Sequence, residues 1–216
     1  MAKHVEVNPK VLRCAINRSG LSVDDFKQPV RKWLTNESQP TFKQLEAFAK
    51  KAMVPFGYLF LSTPPVETLP IPDYRTRDDG GVRRPSPNLI DTIFEMQRRQ
   101  EWMREYLLDE GHEELGYVGS VKIGQDVRAV ARRIRDQLNL RPNWAHRLPA
   151  TADALRLLRE RIELAGILIF INGIVGNNTR RGLEVDEFQG FVLIDRIVPL
   201  VFVNGADYKA AQMFTI

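Results

Sequence analysis

The sequence predicts an α+β protein, in which a small all-helical module precedes helices that pack on a small mixed sheet. Apolar residues recur at helical spacing through residues 1–61, where capping residues divide the chain into short segments. Longer amphipathic segments begin at residue 86, and three β-rich apolar runs follow them, at 167–171, 191–194 and 200–203. Helices followed by a cluster of strands are typical of the α+β class.

The composition limits the type of protein. The 216 residues are 44% hydrophobic and 27% charged, as in soluble globular proteins. No apolar run reaches the roughly 18–20 residues that cross a bilayer, and the N-terminus lacks the apolar stretch of a signal peptide. The single cysteine, Cys14, cannot form an internal disulfide. We therefore expect a cytoplasmic protein with no membrane partner.

The positive charge is concentrated near the N-terminus. Residues 1–65 hold ten Lys and Arg and five Asp and Glu, so their net charge is +5, whereas the net charge of the whole chain is +4. The remaining 151 residues hold 21 basic and 22 acidic groups, which gives −1. This asymmetry favours a polyanionic partner for the first module.

Capping signals predict five helical segments in this first module. Asn8 and Pro9 start the first segment, and Ser22 caps the second. The third occupies residues 29–35, about two turns. Thr41 and Gln44 form a capping box for the fourth, and the fifth is a last turn at 55–61. The predicted core-facing stripe of the fourth segment is Phe42, Leu45, Phe48, Ala49 and Ala52.

A proline-rich stretch separates the two parts of the chain. Residues 65–85 contain repeated prolines and the Gly80-Gly81 pair, which favour an extended connector. Ile71 and Tyr74 are apolar positions at which this connector could still pack. The predicted domains are therefore 1–64, the connector 65–85 and 86–216.

The second domain begins with helices. A long helix is predicted from Pro87 to about Asp109, a short strand at 118–123, and two helices capped by Asp126 and Thr151. The helix after Asp126 should bury Val127, Val130, Ala131, Ile134 and Leu138.

The predicted strands come last. The runs at 191–194 and 200–203 are close enough to form a hairpin, and residues 175–182 read as a Gly/Asn loop between strands. A final helix from Ala206 should bury Ala206, Ala210, Met213 and Phe214. Because this helix has no Gly, Asn or cation in its last turn, we expect the chain to be the front part of a longer protein. A short terminal helix docked on the sheet is the simpler alternative.

Seven strings carry a resemblance to a known family. They are residues 38–51, 54–61, 69–76, 97–100, 175–179, 188–191 and 201–207. Together with the five-helix, Cro-repressor-like plan of residues 1–61, they resemble an Xre-type helix-turn-helix protein fused to an ImmA/IrrE-type zinc metallopeptidase domain. The resemblance covers essentially the whole chain.

The resemblance implies a regulator of transcription with a zinc-peptidase domain. In that family the helix near Ala206 continues into a His-Glu-x-x-His motif, whose histidines bind zinc and whose Glu activates a water. This sequence has no such motif, so it predicts no catalytic residue, no metal ligand and no cofactor, and zinc only in a longer form. We therefore expect this form to be inactive as a peptidase. A longer form would be a metallo-endopeptidase that cleaves a repressor-like protein.

DNA is the predicted partner of the first module. If the third helical segment is a recognition helix, six side chains would reach phosphates and base edges. They are Lys27, Gln28, Arg31, Lys32, Thr35 and Asn36. The alternative is a degenerate helix-turn-helix that binds protein, as in an antitoxin, with a toxin or a repressor as partner.

The other polar clusters predict no chemistry. His4, His112 and His146 are widely separated in the sequence, and the acidic loop around His112 is expected to be solvated. The arginines at 98–99, 132–135 and 156–161 alternate with acids, so we expect exposed helix faces with i,i+4 ion pairs.

Overall fold

The computed structural model describes residues 4–66 and 85–216, which fall into two compact units. Residues 4–66 with Pro85–Pro87 form the first unit, and residues 88–216 form the second. Residues 67–84 of the predicted connector, Ile71 and Tyr74 among them, lie outside the described residues. The described part contains seven α-helices and two small sheets, which confirms the α+β class.

The regular elements of the first unit are helical. In chain order they are α1 (Pro9–Ser19), a 3-10 helix at Val23–Asp25, α2 (Val30–Leu34), α3 (Phe42–Ala52) and a second 3-10 helix at Phe56–Phe60. The predicted caps of the longer helices are confirmed: Asn8 accepts from the Lys10 amide, and Thr41 forms its capping box with Gln44. Their side chains satisfy backbone groups that a helix end leaves unpaired.

Aromatic side chains fix these short helices around one core. Phe26 stacks on Phe48 of α3 with ring centroids 4.8 Å apart, and Trp33 of α2 meets the same ring edge-on at 6.1 Å. Trp33 and Phe48 are almost fully buried. The prediction that Phe42 joins this core is wrong, because its side chain is 47% exposed.

The second unit begins with helices. They are α4 (Pro87–Asp109), α5 (Val127–Gln137), a 3-10 helix at Trp144–Arg147 and α6 (Thr151–Leu164). The predicted strand at 118–123 is wrong: none of these residues belongs to a strand, and the turn at its start has Gly119 at a positive φ of 72°. The predicted burial of α5 is also wrong, since none of its residues is buried.

A three-stranded mixed sheet lies at the centre of the second unit. Its order is β1 (Leu168–Asn172), β5 (Leu200–Asn204) and β4 (Gly190–Leu193). β1 runs parallel to β5, with Asn172 opposite Asn204, whereas β4 is antiparallel to β5 and confirms the predicted hairpin. The predicted loop at 175–182 is itself a hairpin of β2 (Ile174–Val175) and β3 (Asn178–Gly182) around Gly176 and Asn177.

The last helix, α7 (Lys209–Thr215), turns a different face inward from the predicted one. Gln212 is its buried residue, while Ala210 is exposed and Phe214 is 92% exposed. Only Met213 of the predicted apolar set packs against the core. The side-chain amide of Gln212 donates to the backbone carbonyls of Gly205 (3.1 Å) and Asp207 (2.6 Å). These hydrogen bonds fix the rotation of the helix about its axis.

Candidate nucleic-acid interface

The helix α2 has one buried and one exposed face. Val30 and Trp33, one turn apart, are each 1% exposed and belong to the core of the first unit. Arg31 and Lys32 lie between them in sequence and are exposed. Because Val30 and Trp33 lie on the inner side of the helix, Arg31 and Lys32, the two positions between them, lie on its outer side.

A carboxylate of the preceding 3-10 helix engages Arg31. The guanidinium Nη2 donates to both oxygens of Asp24, at 2.6 and 2.8 Å, and Nε donates to Oδ1 at 3.1 Å. These hydrogen bonds, reinforced by the opposite charge, raise the pKa of Arg31. The two side chains are 73% and 71% exposed, so the pair is hydrated and contributes little net stability. A phosphate group could therefore replace Asp24 at small cost.

A second carboxylate lies beside the end of α2. The hydroxyl of Thr35 donates to Oε1 of Glu37 at 2.8 Å, and this hydroxyl also lies 3.2 Å from the backbone carbonyl of Arg31. Asn36 is exposed and has a left-handed φ of 60°, which Asn adopts more readily than most residues. Of these two predicted contact residues, only Asn36 keeps a side chain without a hydrogen bond to a described residue.

Three further residues of the predicted DNA-contact set remain, two before α2 and one within it. Gln28 is half-buried, and its backbone carbonyl accepts from the Val30 amide at 2.7 Å. Lys27 and Lys32 are exposed, and neither has an ion pair with a described residue. The side chains of Lys27, Gln28, Lys32 and Asn36 therefore have no hydrogen bond or ion pair with a described residue, and Arg31 joins them once Asp24 is displaced.

The charge around α2 is balanced. Residues 24–37 contain three cations and three carboxylates, which are Lys27, Arg31 and Lys32, and Asp24, Asp25 and Glu37. The positive excess of the first unit lies instead on α1 and α3, whose exposed cations are Lys10, Arg13, Lys43, Lys50 and Lys51. A count over the sequence predicts the excess correctly but not its distribution.

Sequence reasoning missed an exposed group of aromatic rings in the first unit. Phe42, Phe56 and Phe60 are 47%, 38% and 46% exposed, and their ring centroids lie 5.1–6.2 Å apart. Leu61 beside them is 41% exposed. We call these four residues the aromatic surface. One feature of the sequence could have indicated this surface: Phe42 is the first residue of α3, beside the polar Lys43, and so lies at the end of the apolar stripe.

The histidines do not form a metal centre in the described structure. His4 is held by the Gln39 carbonyl, 2.8 Å from its Nδ1, while His112 and His146 are exposed. Within residues 4–66 and 85–216, no three His, Cys, Asp or Glu side chains are close enough together to hold a metal ion. The described residues therefore offer no group of side chains that could hold a zinc ion.

Two Asn-Gly pairs lie at the carboxyl ends of the parallel strands. Asn172-Gly173 ends β1 and Asn204-Gly205 ends β5, with the Gly205 amide donating to the Asn172 carbonyl at 2.9 Å. The buried amide of Asn204 donates to the Phe188 carbonyl at 3.1 Å. The Asn204 side chain thus holds the backbone at this edge, since its Oδ1 also accepts from the Ala206 amide at 3.0 Å.

Within the described residues, no helix combines the length and the apolar character that crossing a bilayer requires. No protein-family model, curated protein or solved structure matches the chain.

Proposed function

We propose that the chain is a DNA-binding regulatory protein. Its first unit would be a Cro-like, Xre-type module that presents α2 to DNA, and its second unit a scaffold of the ImmA/IrrE type without peptidase activity in this form. The observation that carries the proposal is the division of α2, with Val30 and Trp33 in the core and Arg31 and Lys32 side by side in solvent. A short helix anchored in this way holds its cations outward, as a groove-binding helix requires.

The expected interaction is weak and electrostatic. Lys27, Arg31 and Lys32 supply about three phosphate contacts, so the logarithm of affinity should fall with the logarithm of salt concentration with a slope of about −3. The carboxylates of Asp24, Asp25 and Glu37 oppose the approach of phosphate and keep the affinity low.

Fluorescence anisotropy with duplex DNA from the gene's own upstream region tests this function. Lys32→Ala should weaken binding by roughly threefold to tenfold and flatten the salt slope by about one. Lys50→Ala on α3 is the matched control, since it removes the same charge from a different helix. Equal losses from the two variants would place the contact outside α2, and no binding at low salt would remove the function altogether.

The aromatic surface favours a second function, protein binding of the antitoxin type. Clustered exposed aromatic rings are costly in water and are enriched where proteins associate. On this alternative, the chain should form a stable complex with the co-expressed product of the neighbouring gene. Phe42→Ser with Phe60→Ser should abolish that complex and leave DNA binding intact. A complex unaffected by the double variant would argue against the aromatic surface as its interface.

A further inference from the structure

The helix α5 of the second unit carries an apolar face that the described structure leaves open. Val127 is 79% exposed and Ile134 is 52% exposed, whereas Val130 and Leu138 are half-buried and Leu138 packs against the core. Val130, Ile134 and Leu138 follow one another at spacings of four residues and so line up along one side of the helix. Two exposed β-branched side chains next to half-buried apolar ones make an apolar patch of the kind that proteins use for association.

This face borders a groove of about 500 Å³. The opposite side of the groove is formed by buried residues of α6, Leu158 and Ile162, together with Val201 of β5. Trp144 also lines it, and the hydroxyl of Tyr117, another lining residue, donates to the Ala165 carbonyl at 2.7 Å. These lining residues are mainly apolar, and the Tyr117 hydroxyl is already hydrogen-bonded.

Arginines flank the apolar row on both sides. Arg133 and Arg135 precede and follow Ile134, and both line the groove. At 100° per residue they fall on opposite borders of the row, and Arg128 lies on the same border as Arg135. The expected i,i+4 ion pairs are absent from α5: none of its arginines pairs with a described carboxylate, and Arg133 donates only to the Ser120 hydroxyl at 3.2 Å. The arginines of α4 and α6 differ, since Arg99 and Arg159 pair with Glu95 and Glu163 at that spacing.

We propose that this groove binds an acidic amphipathic helix of a partner protein. Apolar side chains of that helix would enter between α5 and α6, and carboxylates on either side of its apolar stripe would meet Arg133 and Arg135. The guanidinium fork matches a carboxylate in two-point geometry, and uncommitted arginines give the complementary charge. Cations on both borders favour a ligand with several carboxylates over a fatty acid with one. Nucleic acid would satisfy the arginines but would leave the apolar row of α5 in water.

A pair of model peptides tests the proposal on the full chain. One is a fluorescein-labelled helical peptide of about 15 residues with a leucine stripe bordered by glutamates, and the other carries lysines in place of the glutamates. By anisotropy at low salt, the Glu peptide should bind about tenfold or more tightly than the Lys peptide. The double variant Arg133→Glu with Arg135→Glu should reverse this preference. Ile134→Gln should weaken the Glu peptide by about tenfold without changing the preference.

The control variant is Arg156→Glu with Arg180→Glu, which changes the net charge equally at exposed positions on α6 and β3. It should retain the wild-type preference. Circular dichroism melting identifies a variant that fails to fold. If the arginine double variant fails, the effect of Ile134→Gln on binding of the Glu peptide tests the groove by itself. Equal affinity for the two peptides, or a control that reverses the preference as well, would overturn the proposal. So would a single-stranded oligonucleotide that binds through Arg133 and Arg135 regardless of Ile134→Gln. Self-association that the double variant abolishes and the Glu peptide cannot displace would assign the groove to a second copy instead.

Discussion

At the scale of single residues, the properties of α2 depend on neighbours that are not adjacent in sequence. Arg31 pairs with Asp24, seven positions earlier and on a different helical segment. No helical periodicity connects positions seven apart across a turn, so the sequence predicts both charges but not their contact. The pair makes Arg31 the least available of the three cations, although it is central in the predicted set.

Replacing Asp24 should therefore strengthen DNA binding. Asp24→Asn frees the Arg31 guanidinium and removes a carboxylate from the approach of phosphate, so affinity should rise by roughly threefold to tenfold at low salt. Anisotropy titrations against the same duplex measure the change. Glu46→Gln on α3 changes the net charge equally and should have a smaller effect. If both variants gained equally, net charge alone would explain the binding.

Asp25 stabilises the turn before α2, and its contribution to folding stability should depend on pH. Its Oδ2 accepts from the Ser22 amide at 2.7 Å and from the Ser22 hydroxyl at 2.9 Å, and these bonds lower its pKa below the ordinary value of 3.8. A lowered pKa means that the ionised form stabilises the folded state above pH 3.8, and that this contribution is lost as the pH falls through the lowered pKa.

The variant Asp25→Asn should lower the urea midpoint at neutral pH and converge with the wild type in strong acid. Urea titrations between pH 7 and pH 2.5 follow the difference, with Glu46→Gln as a carboxylate outside any capping interaction. A difference that stayed constant down to the lowest pH would show that the carboxylate charge does not stabilise this turn.

At the scale of elements, helix boundaries followed from the sequence wherever a cap determined them. Asn8, Thr41 and Asp126 all accept hydrogen bonds from the amides of the helices they were predicted to start. These signals are local, because the capping atom and its partner are within three residues of each other. Thr151 is the exception, since it is the first residue of α6 and Ala150 occupies the cap position.

The faces that helices bury were less predictable, since burial depends on distant parts of the chain. Periodicity assigned Phe214 to the interior of α7, but the hydrogen bonds of Gln212 rotate that helix. A polar side chain that is buried because it binds backbone carbonyls has no apolar signature. On α5 the periodicity was regular, yet Val127 and Ile134 have no cover among the described residues. A regular stripe therefore identifies a face that needs a partner, without saying which partner it has.

The close approach of β1 and β5 leads to a sharp prediction for a glycine at the sheet edge. A Cβ on Gly205 would lie 2.9 Å from the Asn172 carbonyl carbon and 2.9 Å from the Gly173 amide nitrogen. Because both are backbone atoms, the strands must separate, and Gly205→Ala should cost about 1–3 kcal/mol of unfolding free energy. Chemical denaturation monitored by circular dichroism gives the difference. Gly182→Ala is the matched control, since its Cβ would meet nothing within 4 Å. Equal stability of the two variants would contradict the tight packing at this edge.

At the scale of the whole molecule, each unit has a charged surface suited to the binding proposed for it. The first unit combines a basic excess on α1 and α3 with a balanced surface at α2. The second unit adds uncommitted arginines beside an apolar groove. Each combination offers charge to a macromolecular partner of complementary charge.

The whole chain should accordingly show no stabilisation by zinc. Tight binding requires three or four converging ligands, and no three potential ligands converge in residues 4–66 and 85–216. All three histidines and Cys14 lie in those ranges, so the remaining residues add only carboxylates. A ligand present at 100 times its Kd would stabilise the fold by about 2.7 kcal/mol and raise Tm by several degrees in a chain of this size. We expect a shift below about 1 °C between samples with excess zinc and with a chelator. A clear rise in Tm, together with one equivalent of zinc by elemental analysis, would reveal a metal site and contradict this prediction.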